Sequence, residues 1–145
     1  MVNKSKNRKL SAGVVVVRED ESTHELLLLL LRAYQYWDFP KGMQELGETE
    51  FEAALREVKE ETTICDLDFC WGNMYFETGP YRGGKVARYY IAKTKQIEIE
   101  LPINPELGRP EHVESRWVKF EEALKMCSPR VKSVINWARK QMDKK

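Results

Sequence analysis

The run of valines at positions 14–17 constrains this chain more than any other feature. Four β-branched residues in succession, within the apolar stretch 11–18, predict a strand that is fully buried. Residues 25–32 carry six leucines, which on their own fit a helix as well as a strand. The polar turn at 19–22 and the aromatics of 34–39 decide for a second strand. Pro40 then biases Phe39 towards extended geometry. At 145 residues the chain falls within the ~100–200 residues usual for one domain. A chain of this size buries about 68–70% of its unfolded surface, enough for one core without disulfide or metal staples.

The clearest helix spans 49–62. Thr49 and Glu52 form a capping box, each side chain meeting a free backbone amide of the first turn. Phe51, Ala54, Leu55 and Val58 recur at helical spacing as one apolar face. Residues 66–77 and 85–92 predict paired strands across a loop at 79–84, and 97–101 alternates as a short strand. Residues 102–110, with three prolines, read as a loop, and 116–120 as a last strand. Ser128 caps a C-terminal helix with Pro129 in its first turn and Val131, Val134, Ile135, Ala138 and Met142 along one face. The expected fold class is α+β, a mixed sheet flanked by two helices. Residues 1–9, MVNKSKNRK, lack periodicity and read as a flexible basic arm ahead of a single domain over 10–143.

Charge and composition exclude several functions. Lysine and arginine total 24 against 23 aspartates and glutamates, so a net charge of +1 draws in neither nucleic acid nor anionic lipid. Cys65, Cys70 and Cys127 contain no CxxC pair, which argues against a disulfide framework and a cysteine zinc site. With only His24 and His112, a histidine-rich metal cluster is excluded, as is catalysis needing several imidazoles. No apolar run approaches the ~18 residues of a membrane span. The first ten residues hold no apolar signal core. The expectation is a cytoplasmic protein without a membrane partner.

Candidate chemistry concentrates in the first helix. At about 100° per residue, Glu57, Glu60 and Glu61 share one arc beside the apolar face, with Ala53 a turn earlier leaving room above them. Like charges so spaced destabilise a helix by about 0.2–0.5 kcal/mol per pair. A hard divalent cation removes that penalty, and a carboxylate set suits Mg²⁺ or Mn²⁺. Alone, E-x-x-E-E is also what a solvated acidic face looks like. The surroundings decide. Gly42, Glu48, Arg56, Glu57, Val58, Glu60, Glu61 and Ile64 fall on G-x5-E-x7-R-E-U-x-E-E-x-G-U (U, bulky aliphatic), matching eight of nine specified positions. Residues 42–64 therefore resemble the Nudix box. Thr63 departs from it, standing where the pattern has the glycine that ends the helix, and a β-branched residue suits a left-handed turn poorly.

The resemblance implies a Nudix-type α/β/α sandwich, with the mixed sheet between the box helix and the C-terminal helix. It also implies a metal-dependent pyrophosphohydrolase, in which water attacks a phosphorus of a nucleoside diphosphate linked to another group. Glu57, Glu60 and Glu61 would hold Mg²⁺, with Mn²⁺ able to substitute, Gly42 would lie against metal or phosphate, and Glu48 and Arg56 would be an orienting ion pair. WDFPKG at residues 37–42 is similar to the corresponding stretch of diadenosine tetraphosphate hydrolases, as is the pair Glu111-His112 ahead of Arg116-Trp117. That likeness implies Glu111 as a further acid by the metals and a candidate general base, with Lys41 facing the polyphosphate. It implies Tyr89 or Tyr90 stacking on an adenine, one of them only, because adjacent strand residues face opposite sides. Arg82, Lys85 and Arg88 would add a basic rim. Ser115 stands where a second stacking tyrosine is expected.

The expected reaction is diadenosine tetraphosphate to ATP and AMP, in a monomer or homodimer. The alternatives are a (d)NTP or RNA 5′-end pyrophosphohydrolase and a non-catalytic nucleotide-binding module. Residues 79–86, GPYRGGKV, spell G-x4-G-K but lack the Ser or Thr and the following helix of a P-loop, and read as a hairpin loop.

Overall fold

Alternation along the valine run sends its side chains into two different cores. In the computed structural model of the chain, which describes residues 9–144, Val15 and Val17 join one buried cluster and Val14 and Val16 another. Both faces of this strand are covered, so it reads as continuously apolar instead of alternating.

The strand is β1 (Lys9–Glu19), and it organises the sheet. β1 runs parallel to β6 (Lys85–Lys93) along its length. It pairs antiparallel with β2 (Leu26–Ala33) through Val17 and Leu28, and with β4 (Lys41–Met43) through Ala12 and Gly42. β2 also pairs with β3 (Tyr36–Asp38) and β9 (Glu114–Val118), and β6 with β5 (Phe76–Tyr81), completing a seven-stranded mixed sheet. β7 (Ile103–Asn104) and β8 (Arg109–Pro110) form a small separate ribbon.

One face of the sheet packs Val14, Val16, Leu29, Leu31 and Tyr90 against Ala53, Ala54 and Val58 of α1 (Glu50–Thr62). The other packs Val15, Val17, Leu28, Leu30 and Tyr89 against α2 (Phe120–Met126) and α3 (Pro129–Asp143). Each fully buried aliphatic side chain contributes about 1.5–3 kcal/mol. The fold is α+β, an α/β/α sandwich with α1 and α3 on opposite faces. Among the described residues, no helix is long and apolar enough to cross a membrane.

Several local expectations need correction. The strand expected over 66–77 begins only at Phe76, with a single bridge from Asp68 to Lys93 before it. Residues 97–101 form no strand, whereas the proline-rich loop contains β7 and β8. The last strand ends at Val118, and Phe120 already opens α2. On α1 the buried face runs through Ala53, Ala54, Val58, Glu61 and Thr62, leaving Leu55 36% exposed. Lys9 opens β1 opposite Lys85, while the rest of the expected basic arm lies outside the described residues.

Candidate active site

The helix start fixes the register of the acids. Thr49 Oγ1 accepts from the Glu52 amide and the Glu52 carboxylate accepts from the Thr49 amide, as the capping box predicts. One and two turns on, Arg56 projects from α1 into a cluster of acids. Its guanidinium donates twice to Glu48 (2.6 and 3.1 Å), to Glu57 at 2.6 Å, to Glu60 at 3.1 Å and to the Met43 carbonyl at 2.9 Å. One planar cation thus ties the loop before α1, strand β4 and two acids of the helix, a geometry that a lysine cannot reproduce. The hydrogen bond from Arg56 holds the Glu48 carboxyl below the ordinary carboxylate range.

Gly42 faces the helix. A Cβ on Gly42 would fall within contact distance of both Glu57 carboxylate oxygens, so only glycine lets β4 and the acid come this close. Next to it, the Lys41 amide donates to Glu61 Oε1 at 3.3 Å.

Glu61 is the buried acid. Its side chain is 5% exposed, and Oε2 is buried with no hydrogen-bond partner. Burial pushes its carboxyl well above the usual range, with the negative charge of Glu111 adding to the effect. Burial also raises Glu57, against the pull of Arg56. Glu61, Glu111 and His112 bring one ligand atom each to within 4.8 Å of one another. An orphaned buried carboxylate oxygen, clustered acids and a missing side chain at Gly42 together fit a divalent cation, whose charge would satisfy what burial leaves uncompensated.

These groups open onto a cleft of about 1060 Å³. Of the residues predicted from sequence, Lys41, Gly42, Arg56, Glu57, Glu60, Glu61, Lys85 and Glu111 line it, with Glu48 behind Arg56. Arg82, Arg88, Tyr89 and Tyr90 do not. Arg88 is held by Glu77 at 2.6 Å and lies over the Tyr75 ring, and Arg82 is exposed on the turn between β5 and β6. Both tyrosines are in the core, because helices cover both faces of β6. Tyr90 packs edge-on to Phe51, and the Tyr89 hydroxyl donates to Asp38 and accepts from Arg130. The expected adenine stack on either ring is corrected accordingly.

The cleft also takes in residues to which the sequence assigned no role: Tyr81 at the end of β5, His112, and Ile103, Asn104 and Pro105 of the β7–β8 ribbon. The neighbouring proline-rich loop and the Glu111-His112 pair were the available signals. Cys127 is buried in the core beneath α3, its thiol pushed up to about 12 by burial, and takes no part in the cleft.

The sandwich and its acid-floored cleft belong to a pyrophosphohydrolase, an enzyme acting on phosphorus acid anhydrides. The sequence matches the NUDIX domain over residues 7–138, and the chain belongs to that family. It is 32% identical over 125 residues to the asymmetrical bis(5′-nucleosyl)-tetraphosphatase of Caenorhabditis elegans, covering 81% of this chain and 83% of that one. The mouse protein of the same name is 32% identical over 131 residues, with the same coverage of 81% and 83%. A crystal structure of a C. elegans Ap4A hydrolase binary complex superposes with a TM-score of 0.76 at 25% identity, over 91% of this chain and 97% of that one.

Proposed function

We propose that this chain is a divalent-metal-dependent Nudix hydrolase of dinucleoside polyphosphates, cleaving diadenosine tetraphosphate to ATP and AMP. The observation that carries this reading is the buried, unpartnered Glu61 oxygen beside Glu57 and Glu111, on the floor of a cleft lined also by Lys41 and Lys85. The relatives that act on such tetraphosphates support the choice of substrate.

Glu57, Glu60, Glu61, Glu111 and the Gly42 backbone would hold the ion, Mg²⁺ or in its place Mn²⁺. When bound, it supplies charge neutralisation on the polyphosphate and a lowered pKa for water. Arg56 and Glu48 orient the helix acids without touching substrate. Glu111 is the proposed base: it takes a proton from the attacking water as the new phosphorus–oxygen bond forms and the anhydride bond breaks. Lys41 and Lys85 bind the phosphate chain as point charges. Tyr81, among the described residues the one tyrosine lining the cleft, offers a ring on which a base can stack, worth about 1–3 kcal/mol. A single stack predicts a preference for the dinucleotide over ATP on the order of tenfold.

The protein is proposed to act as one domain over 10–143, in the cytoplasm, as a monomer or homodimer. Comparing diadenosine polyphosphates, ATP, dGTP, an ADP-sugar and 5′-triphosphorylated RNA at equal Mg²⁺ tests the reading. Fastest turnover of the dinucleotide is expected. Preference for the RNA with little turnover of the dinucleotide would overturn it in favour of an RNA 5′-end pyrophosphohydrolase.

A further inference from the structure

His112 has unsatisfied polar capacity facing an equally unsatisfied acid. Its side chain is only 12% exposed, and Nδ1 stands 3.9 Å from Glu61 Oε1. That separation is too long for a hydrogen bond. Neither imidazole nitrogen has a hydrogen-bond partner among the described residues. Across the gap, Glu61 Oε1 accepts from the Lys41 amide at 3.3 Å, while the other oxygen of the same carboxylate, Oε2, is buried and lacks a partner. A buried carboxylate oxygen left so is costly, and the half-buried imidazole beside it is unpartnered as well. A single ion between them would satisfy both, since ligand atoms bonded at roughly 2.0–2.2 Å stand about 3–4 Å apart.

We infer that His112 is a ligand to the metal held by Glu61 and Glu111, and that its nitrogen sets which ion this protein prefers. The acids of the helix offer only oxygen, the donor set suited to Mg²⁺. An imidazole changes the order. Affinity at a mixed nitrogen–oxygen site rises along the transition series from Mn²⁺ to Co²⁺, while Mg²⁺ gains little from nitrogen and keeps its waters. Two histidines cannot make a histidine-rich cluster, yet one imidazole is enough to tilt selectivity. The orphaned oxygen of Glu61 is what separates this corner from a plain patch of acids.

The inference rests on the metal-dependent reading above, and the test keeps the two apart. Binding of Mg²⁺, Mn²⁺ and Co²⁺ to the metal-stripped full chain would be measured by calorimetry, without nucleotide, for wild type, His112→Leu and His112→Gln. The Co²⁺ absorption spectrum is recorded alongside. Gln replaces the nitrogen with an oxygen donor and guards against a packing defect in the Leu variant, and thermal melting checks that both fold. Both variants are expected to lose Co²⁺ affinity by at least ~10-fold, the lower end of what a displaced metal-site group costs. Mg²⁺ affinity should stay within about threefold and Mn²⁺ fall between them. The visible Co²⁺ bands should shift. Parallel losses for the three ions, or no loss, would overturn the role of His112 while leaving the metal-dependent reading intact. No binding of any ion by wild type would overturn both.

Discussion

The Glu57 carboxylate occupies the space in which a side chain on Gly42 would stand. Arg56 pins that carboxylate at 2.6 Å, so it has little room to retreat. Gly42→Ala should therefore displace an acid of the site and spare the core, since β4 is a short strand beside β1. We expect Mg²⁺ affinity to fall by ~10–100-fold, with the melting temperature within a few degrees of wild type. Calorimetry and a thermal melt check this, and unchanged affinity would show that Glu57 does not bear on the ion.

Arg56→Lys keeps the charge and loses the fork. Four hydrogen bonds from Arg56 to three acids use separate N–H groups, two of them on Glu48 alone. Turnover is expected to drop by at least ~10-fold, with a smaller change in KM, if Arg56 acts as proposed by orienting the acids and not by binding substrate. Steady-state kinetics separate the two, and a pure KM effect would place Arg56 on the substrate instead.

Thr63 ends α1 in the left-handed region, with φ 68° and ψ 6°. A β-branched residue there is strained by roughly 1–2 kcal/mol. Its Oγ1 also accepts from Gln96 Nε2 at 3.0 Å, a bond worth about 0.5–1.5 kcal/mol that glycine would lose. Glycine also gives the unfolded chain about 0.4–1 kcal/mol more entropy to lose. Thr63→Gly should come out near neutral. Asparagine tolerates the left-handed conformation without that entropy, so Thr63→Asn should gain up to ~1 kcal/mol in denaturant unfolding. Destabilisation by asparagine would contradict this account of the cap.

Asp66 ties the chain after α1 to the end of β6. Burial pushes its carboxyl up, but hydrogen bonds from Thr94 Oγ1 and the Lys95 amide outweigh it and hold the group below the ordinary value of 3.8. A depressed folded pKa means that the stabilisation is complete above pH 3.8 and is lost as pH falls through the folded value. The stability difference between wild type and Asp66→Asn should thus be constant from neutral pH down to mildly acidic pH and shrink below it. Urea unfolding across that range measures it, and a difference growing towards low pH would reverse the sign.

Local signals were legible in the sequence and long-range ones were not. The valine strand, the capped box helix and the pairing of β5 with β6 each follow from contiguous residues. α2 carries no such signal, because Lys119 supplies no side-chain cap to announce it. The burial of Tyr89 depends on α3 arriving over β6 and on Arg130, far along the chain, meeting Asp38 at 2.5 Å. That contact has no local signature. The acids were legible as a set, but which of them is buried was not. Glu61 lies on the buried face with Ala54 and Val58, whereas Glu60, one residue earlier, is turned outward to Arg56. The Glu111-His112 pair draws attention to its acid, and nothing in the contiguous sequence brings its histidine to Glu61.

The buried acid of α1 is proposed to serve the cleavage of a dinucleoside tetraphosphate. Wild type and Glu61→Gln would be given diadenosine tetraphosphate at saturating Mg²⁺, with nucleotide products separated by chromatography. Wild type should give ATP and AMP in equal amounts, and turnover should be at least ~10²-fold lower in a variant that still folds. Two ADP as the product, or undiminished turnover by Glu61→Gln, would contradict it.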